Sequence, residues 1–261
     1  MKKISKSVPP NPLSLFAAGN PLASWEPDFR NYNQSKDYTV VRSLMLKDQG
    51  GLCGYCEIKI TNQPVHKQRV EHFHDKSDKS NLAANNWGLD WQNVFAVCIG
   101  GTDTNPMIHP LPSNLSCDAH KSHLKGKHNQ APEGYLLNPL TMPHSPCLFD
   151  FDKRTGELKA NANTCAKVEI DGNNFDTLQE LVENTIRILN LNCPRLTAQR
   201  LEVLKAYNQA IKIARQKKDR HCFTKLSKRW FGGKWQEFFT TRRLLLGNHA
   251  ESHLASVRYD G

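Results

Sequence analysis

The chain has 261 residues, with 35 Lys or Arg against 25 Asp or Glu, a formal charge of +10 at pH 7 and a pI near 9.2. At 38% hydrophobic and 23% charged it is composed like a soluble globular protein of one or two domains, not like a disordered or fibrous one. No apolar run approaches the ~20 residues that span a bilayer, and the basic start Met1–Pro10 has no apolar segment behind it. Membrane and secreted classes are therefore disfavoured, and a cytoplasmic protein is expected.

Residues 1–35 hold Pro9, Pro10, Pro12, Pro21 and Pro27, which predict an extended arm. Val40, Val41, Leu44 and Met45 predict a short helix from Tyr38 that stops at Gly50-Gly51. Residues 52–128 are rich in Cys, His and Asn and lack long periodic runs, as a small metal-braced module would. Leu148–Leu158 alternates around a glycine-containing turn and predicts a β-hairpin. Phe175, Leu178, Leu181, Val182, Thr185, Ile186 and Leu189 share one helical face, with Thr177 and Glu180 spaced as a capping box and Asn192-Cys193-Pro194 as the stop. A second helix, with Leu201, Leu204, Ile211 and Ala214 on one face, runs into a basic helix with Lys212, Arg215, Lys217, Lys218, Arg220, Lys225, Lys228 and Arg229. That stretch is either a solvated face or a nucleic-acid footprint, which the overall positive charge also favours. These signals divide the chain into an arm (1–35), a central part (36–170) and a helical C-terminal part (171–261).

Eight cysteines in a cytosolic chain of this length read poorly as a disulfide framework. Cys53 and Cys56 form a C-x2-C knuckle, a spacing that lets two thiolates grip one zinc ion, although paired thiols are also found in redox sites. Cys98 and Cys117 complete a four-thiolate set, and the residues between them, rich in Gly, Pro and Asn, form a loop extruded between two ligands. A site closed by four thiolates is structural.

Inside that frame lie Arg69-Val70-Glu71-His72-Phe73-His74-Asp75, then Leu89-Asp90-Trp91-Gln92-Asn93-Val94, then Cys117-Asp118-Ala119-His120-Lys121. This order resembles the HNH endonucleases, above all those of Septu-type anti-phage systems (the PtuB-like group), including those encoded beside retrons. The shared pattern takes in Cys53–Glu57, Val70–Phe73, Trp91–Asn93, Leu136–Pro139 and Ile188–Leu191, so it covers about residues 50 to 200. It implies an α+β fold: a zinc-braced ββα-metal (His-Me finger) core with helices around it and a mainly helical C-terminal region.

The resemblance also implies roles. Phosphodiester hydrolysis needs a deprotonated water, and a histidine that titrates near neutrality suits the task, so His72 takes the general base. Glu71, before it, becomes a metal ligand. Asp118 stands where family members usually carry His or Asn and becomes the second ligand. Two carboxylates suit a hard ion, Mg2+ or Mn2+, beside the structural Zn2+. Asn93 would hold the loop carrying His72, and Lys121 would contact phosphate. From the residues alone, His74, His120 and His123 rival these assignments. The family implies an ABC/SMC-like ATPase partner and, in retron-linked members, a reverse transcriptase with its RNA–DNA product. DNA is the expected target, with RNA, including tRNA, open. The competing function is a non-catalytic zinc-ribbon module that recruits nucleic acid to the ATPase.

Overall fold

Caps, turns and hydrophobic spacing place the elements of the computed structural model, which describes residues 1–80, 82, 85–125, 131–233 and 235–261. Asn11 caps α1 (Pro12–Gly19), its side chain accepting from Ser14 N at 3.1 Å. Helix α2 (Lys36–Asp48) ends before Gly50 and Gly51, both at positive φ, as the sequence predicts. Strands β1 (Gln68–His72) and β2 (Val94–Cys98) pair antiparallel with Gln68 opposite Cys98 and His72 opposite Val94. Helix α3 (Cys117–Lys125) follows and packs on β2. Strands β3 (Phe149–Phe151) and β4 (Leu158–Ala160) make the expected hairpin, and α4 (Ala162–Cys165) is a single turn after it.

The capping box expected before α5 (Leu178–Ile188) is present, with Thr177 and Glu180 each accepting from the other's backbone N–H at 3.2 Å. Pro194 opens α6 (Pro194–Gln216), where its missing N–H costs nothing. Three further helices, α7 (Cys222–Phe231), α8 (Phe239–Leu246) and α9 (Asn248–Ser256), close the C-terminal part. Among the described residues, no helix is long and apolar enough to cross a membrane.

Every residue of β2 is buried, which leaves its backbone groups needing partners on both sides. β1 supplies one side. On the other, buried Gln49 acts as a one-residue strand: its amide donates to Ala96 O at 2.7 Å and accepts from Ala96 N at 2.6 Å. The loop over 99–116 that leaves β2 and returns to α3 closes at its base, where Ser116 N donates to Gly100 O at 2.9 Å. Asn190 braces the returning arm by donating to Ser113 O and Leu115 O, both at 2.8 Å.

Two expectations are corrected. Residues 1–35 are not an extended arm. Met1, Ile4, Leu13, Phe16, Trp25 and Phe29 are buried in the same apolar cluster as β2, α5 and the start of α6. Pro12 opens α1 and Pro27 lies in a helical turn, so the prolines shape this segment without extending it, and its large apolar side chains pull it into the core. Lys6 pins it, its ammonium lying 3.2 Å from the Trp91 ring centroid and donating to Val94 O at 2.7 Å. Nor do the basic residues share one helix. Lys212 and Arg215 end α6, Lys217, Lys218 and Arg220 lie in the turn that follows, and Lys218 has φ 53°, which breaks the helix before α7 begins.

Candidate active site and metal centre

The four cysteines sit where three elements end. Cys53 and Cys56 flank a tight turn, Cys98 is the last residue of β2 and Cys117 the first of α3. All four are buried, and their sulfurs lie within 4.8 Å of one another. The Cys53–Cys117, Cys56–Cys98 and Cys98–Cys117 separations are 3.8, 3.7 and 3.8 Å. Sulfurs at ~2.3 Å from a central zinc ion stand about 3.8 Å apart along the edges of a tetrahedron, so the set fits a four-thiolate metal ion. Backbone N–H groups face the sulfurs too: Cys98 N donates to Cys53 Sγ and Gly100 N to Cys98 Sγ, both at 3.3 Å. Cys117 is held at φ 56°, an uncommon conformation for a residue with a side chain, by its place in the cluster and by its N–H donating to Leu189 O at 2.8 Å.

Because Cys117 starts α3, the cluster also fixes the first turn of that helix, which carries Asp118 and Lys121. Both face the end of β1 across a cleft of about 360 Å³ that Glu71, His72, Lys76, Tyr135 and Ile188 also line. Glu71 is only 5% exposed. Burial pushes its carboxyl up to about 8, against the pull of the Lys121 ammonium and with added repulsion from Asp118. Tyr55, from the cysteine knuckle, donates to Glu71 Oε1 at 3.2 Å. The Lys121 ammonium rests against Glu71 Oε1 and lies 4.0 Å from Asp118 Oδ1. Two acidic side chains thus converge on one ammonium, which works against the burial that favours the protonated form of Glu71. Their all-oxygen donor chemistry fits a hard divalent ion.

His72 lies deeper. Its Nε2 is 3.1 Å from Gly88 O, and its ring stands nearly perpendicular to that of Trp25 with the centroids 4.6 Å apart. Burial holds its pKa down at about 4, outweighing the hydrogen bond to Gly88. The imidazole is therefore neutral near pH 7. A carbonyl oxygen only accepts, so Nε2 carries the hydrogen and Nδ1 keeps the lone pair. Asn93 fixes the loop that follows: its side chain accepts from His74 N at 2.8 Å and donates to His74 O at 3.1 Å and Trp87 O at 2.8 Å.

The rival histidines are engaged elsewhere. His74 is clamped between Glu133 at 2.6 Å and Asp78 at 2.8 Å and stacks on Trp87. Burial opposes its charge, but the two carboxylates prevail and raise its pKa. His120 Nδ1 lies 2.8 Å from Ile188 O, and neither His120 nor His123 is among the cleft-lining residues. None of Lys212, Arg215, Lys217, Lys218 and Arg220 lines the cleft either.

No family model matches the chain. It is 38% identical over 249 residues to an Escherichia coli protein named "Retron Ec83 putative HNH endonuclease", covering 94% of each chain. The chain belongs to the HNH endonuclease family.

As an HNH protein it carries the Glu-His pair on a strand and Asp118 on a helix, with the cysteine cluster holding the two in register. Three contributors to the site had no assigned role in the sequence. Tyr55 could have been noticed as the aromatic inside the C-x2-C knuckle. Trp25 lies 47 residues before His72 in a proline-rich segment, and the Gly88 carbonyl is a backbone atom, so nothing local marked either.

Proposed function

We propose that this protein is a divalent-metal-dependent endonuclease that hydrolyses phosphodiester bonds of nucleic acid, with DNA the favoured target. In this reading it is the effector of an anti-phage system of the Septu or retron-linked kind, restrained or aimed in the cytoplasm by an ABC/SMC-like ATPase, and in the retron case by a reverse transcriptase with its RNA–DNA product. The observation that carries the chemistry is the cleft itself: a neutral histidine with Nδ1 as its free acceptor stands beside two converging carboxylates. Incubating purified protein with duplex DNA, single-stranded DNA and tRNA in Mg2+ or Mn2+ tests it. Cleavage that stops with EDTA supports the reading. Binding without cleavage in either metal would instead make the protein a zinc-ribbon recruitment module.

His72 Nδ1 takes a proton from water, the resulting hydroxide attacks phosphorus, and the bond to the 3′ oxygen breaks as that oxygen takes a proton from a second water, after which His72 returns its own proton to solvent. Glu71 and Asp118 would hold Mg2+ or Mn2+, which supplies stabilisation of the charge that builds on the phosphate and the leaving oxygen. Lys121 shields the two carboxylates from each other and adds positive charge at the cleft where a phosphate oxygen docks. Asn93 keeps the His72 loop in place without reaching the reacting atoms. The cysteines hold Zn2+ as a brace.

Asp118→Ala is expected to be inactive in Mg2+ and partly restored by high Mn2+, since Mn2+ binds a depleted ligand set more tightly. Cleavage titrated with each metal measures this. Wild-type activity in Asp118→Ala with loss in His120→Ala would transfer the ligand role to the histidine. Asn93→Ala is expected to lower kcat by about 10- to 100-fold, because the loop behind the base loses three hydrogen bonds and small misplacements are costly. Its zinc content should stay at the wild-type level.

The basic residues after α6 are a second contact in this reading, tracking phosphates away from the cleft. Reversing Lys217, Lys218 and Arg220 together should weaken binding and flatten its salt dependence by roughly one unit of slope per lost phosphate contact. An unchanged slope in a fluorescence titration returns them to ordinary solvated side chains.

A further inference from the structure

Two arginines in the first turns of α6 are buried beside the cysteine cluster. Arg200 is 1% exposed and Arg195 is 7% exposed. A guanidinium keeps its charge at any accessible pH, and an uncompensated charge in the interior costs several kcal/mol in broad estimates. Yet the acceptors that face them are neutral. Arg200 donates to Leu191 O at 2.7 Å, Gly156 O at 3.3 Å and Asn192 Oδ1 at 3.4 Å, with the Phe238 ring at 5.8 Å. Arg195 donates to Ser116 Oγ at 2.8 Å, and its buried Nε has no hydrogen-bond partner among the described residues. The nearby carboxylates are committed: Asp103 pairs with Lys67, and Glu57 takes hydrogen bonds from Thr240 N and Thr240 Oγ1 and pairs with the Met1 ammonium.

What these guanidiniums do touch are segments that lead into the cysteine cluster. Ser116 precedes Cys117, and the Gly100-Gly101 turn follows Cys98. A Cβ on Gly101, which has φ +84°, would stand 2.9 Å from Arg195 Nη2 and 3.0 Å from Nε, so the absence of a side chain there is what admits the guanidinium to this turn. Leu191, which receives the Arg200 bond, lies two residues after Leu189, whose carbonyl anchors Cys117 N. Burial works against the Arg200 charge, and Glu57, Cys56, Cys193 and Cys117 work for it. Four thiolates around one Zn2+ leave two net negative charges buried in the same place, which two guanidiniums balance.

We propose that Arg195 and Arg200 are the counter-charges of the four-thiolate zinc centre, positioning residues that set how tightly the metal is held without touching it. The inference rests on the zinc assignment and not on nuclease activity. It makes metal loading and the docking of α6 one event, because either charge set is costly to bury without the other. Loss of zinc then loosens α6 and the Cys117 start of α3 together.

The test is competition between the purified protein and a coloured zinc chelator, for wild type, Arg195→Met, Arg200→Met and the corresponding Lys variants. Methionine keeps much of the length and removes the charge, whereas lysine keeps the charge. Each Met variant is expected to hold zinc about 10- to 100-fold more weakly, as outer groups around metal ligands generally do, with the Lys variants recovering most of the loss. A residue needed only for packing or for its carbonyl hydrogen bonds would destabilise metal-free and zinc-loaded protein equally and leave zinc affinity unchanged. That result, or Met and Lys variants that fall equally, overturns the proposal. Should Arg200→Met fail to fold, the Arg195 pair decides by the same comparison. Zinc bound at wild-type affinity in a charge-free variant counts against the counter-charge role. A centre that binds no zinc in wild type overturns the assignment beneath it, a distinguishable outcome.

Discussion

Replacing His72 by alanine should reduce cleavage by about 10²- to 10⁴-fold, the range over which a positioned general base acts. Nucleic-acid binding should be unchanged, because the base works on water and adds little to the affinity for substrate. The geometry makes the test specific. Only Nδ1 is available, since Nε2 is committed to Gly88 O, and the ring has little room to turn between that carbonyl and Trp25. His72→Gln tests the point further, because an amide donor can keep the Gly88 bond yet cannot take the proton. It should fold like wild type and remain as inactive as the alanine variant. Measured cleavage near the wild-type rate in either protein, with Mg2+ saturating, would remove His72 from the reaction.

Loss of a cysteine should act on the fold and not on the chemistry alone. Zinc held by four thiolates contributes folding free energy directly, on the order of 10 kcal/mol in small zinc domains, more than most domains have in reserve. Cys53→Ser and Cys117→Ser are therefore expected to be insoluble or to melt far below wild type. EDTA at moderate concentration should leave the melting temperature close to its starting value while it stops cleavage, since the carboxylate-bound ion exchanges readily and the thiolate-bound one does not. Thermal melts with metal analysis check both halves. A soluble Cys53→Ser protein with full zinc content would exclude the four-cysteine centre.

Those two variants probe what was legible from residue order. The cysteine quartet could be read because metal-ligand spacing is a local signal, and the structure gathers the four sulfurs within 4.8 Å. The Thr177–Glu180 capping box and the glycine stop after α2 were legible for the same reason: each is a short-range backbone requirement written in a few adjacent residues. The start was misjudged because proline count describes backbone freedom, whereas the placement of Trp25 and Phe29 is decided by burial against residues far along the chain. The basic stretch failed differently. Its charges gave no sign that Lys218 would adopt a left-handed conformation and divide it between two helices. In the cleft, Glu71, His72 and Asp118 were named from their order, but the ammonium of Lys121 between the carboxylates depends on how α3 is set against β1.

The loop between Cys98 and Cys117 closes on itself through Ser116 and Gly100 before it reaches either metal ligand. Its tip, with Met107 and Ile108 largely in solvent, stands beyond that closure. Doubling the length of a flexible loop costs only about 0.6 kcal/mol in closure entropy. The tip is thus a natural graft point: an epitope or a fluorescent peptide spliced in at Met107 is expected to leave the cysteine cluster and the cleft as they are.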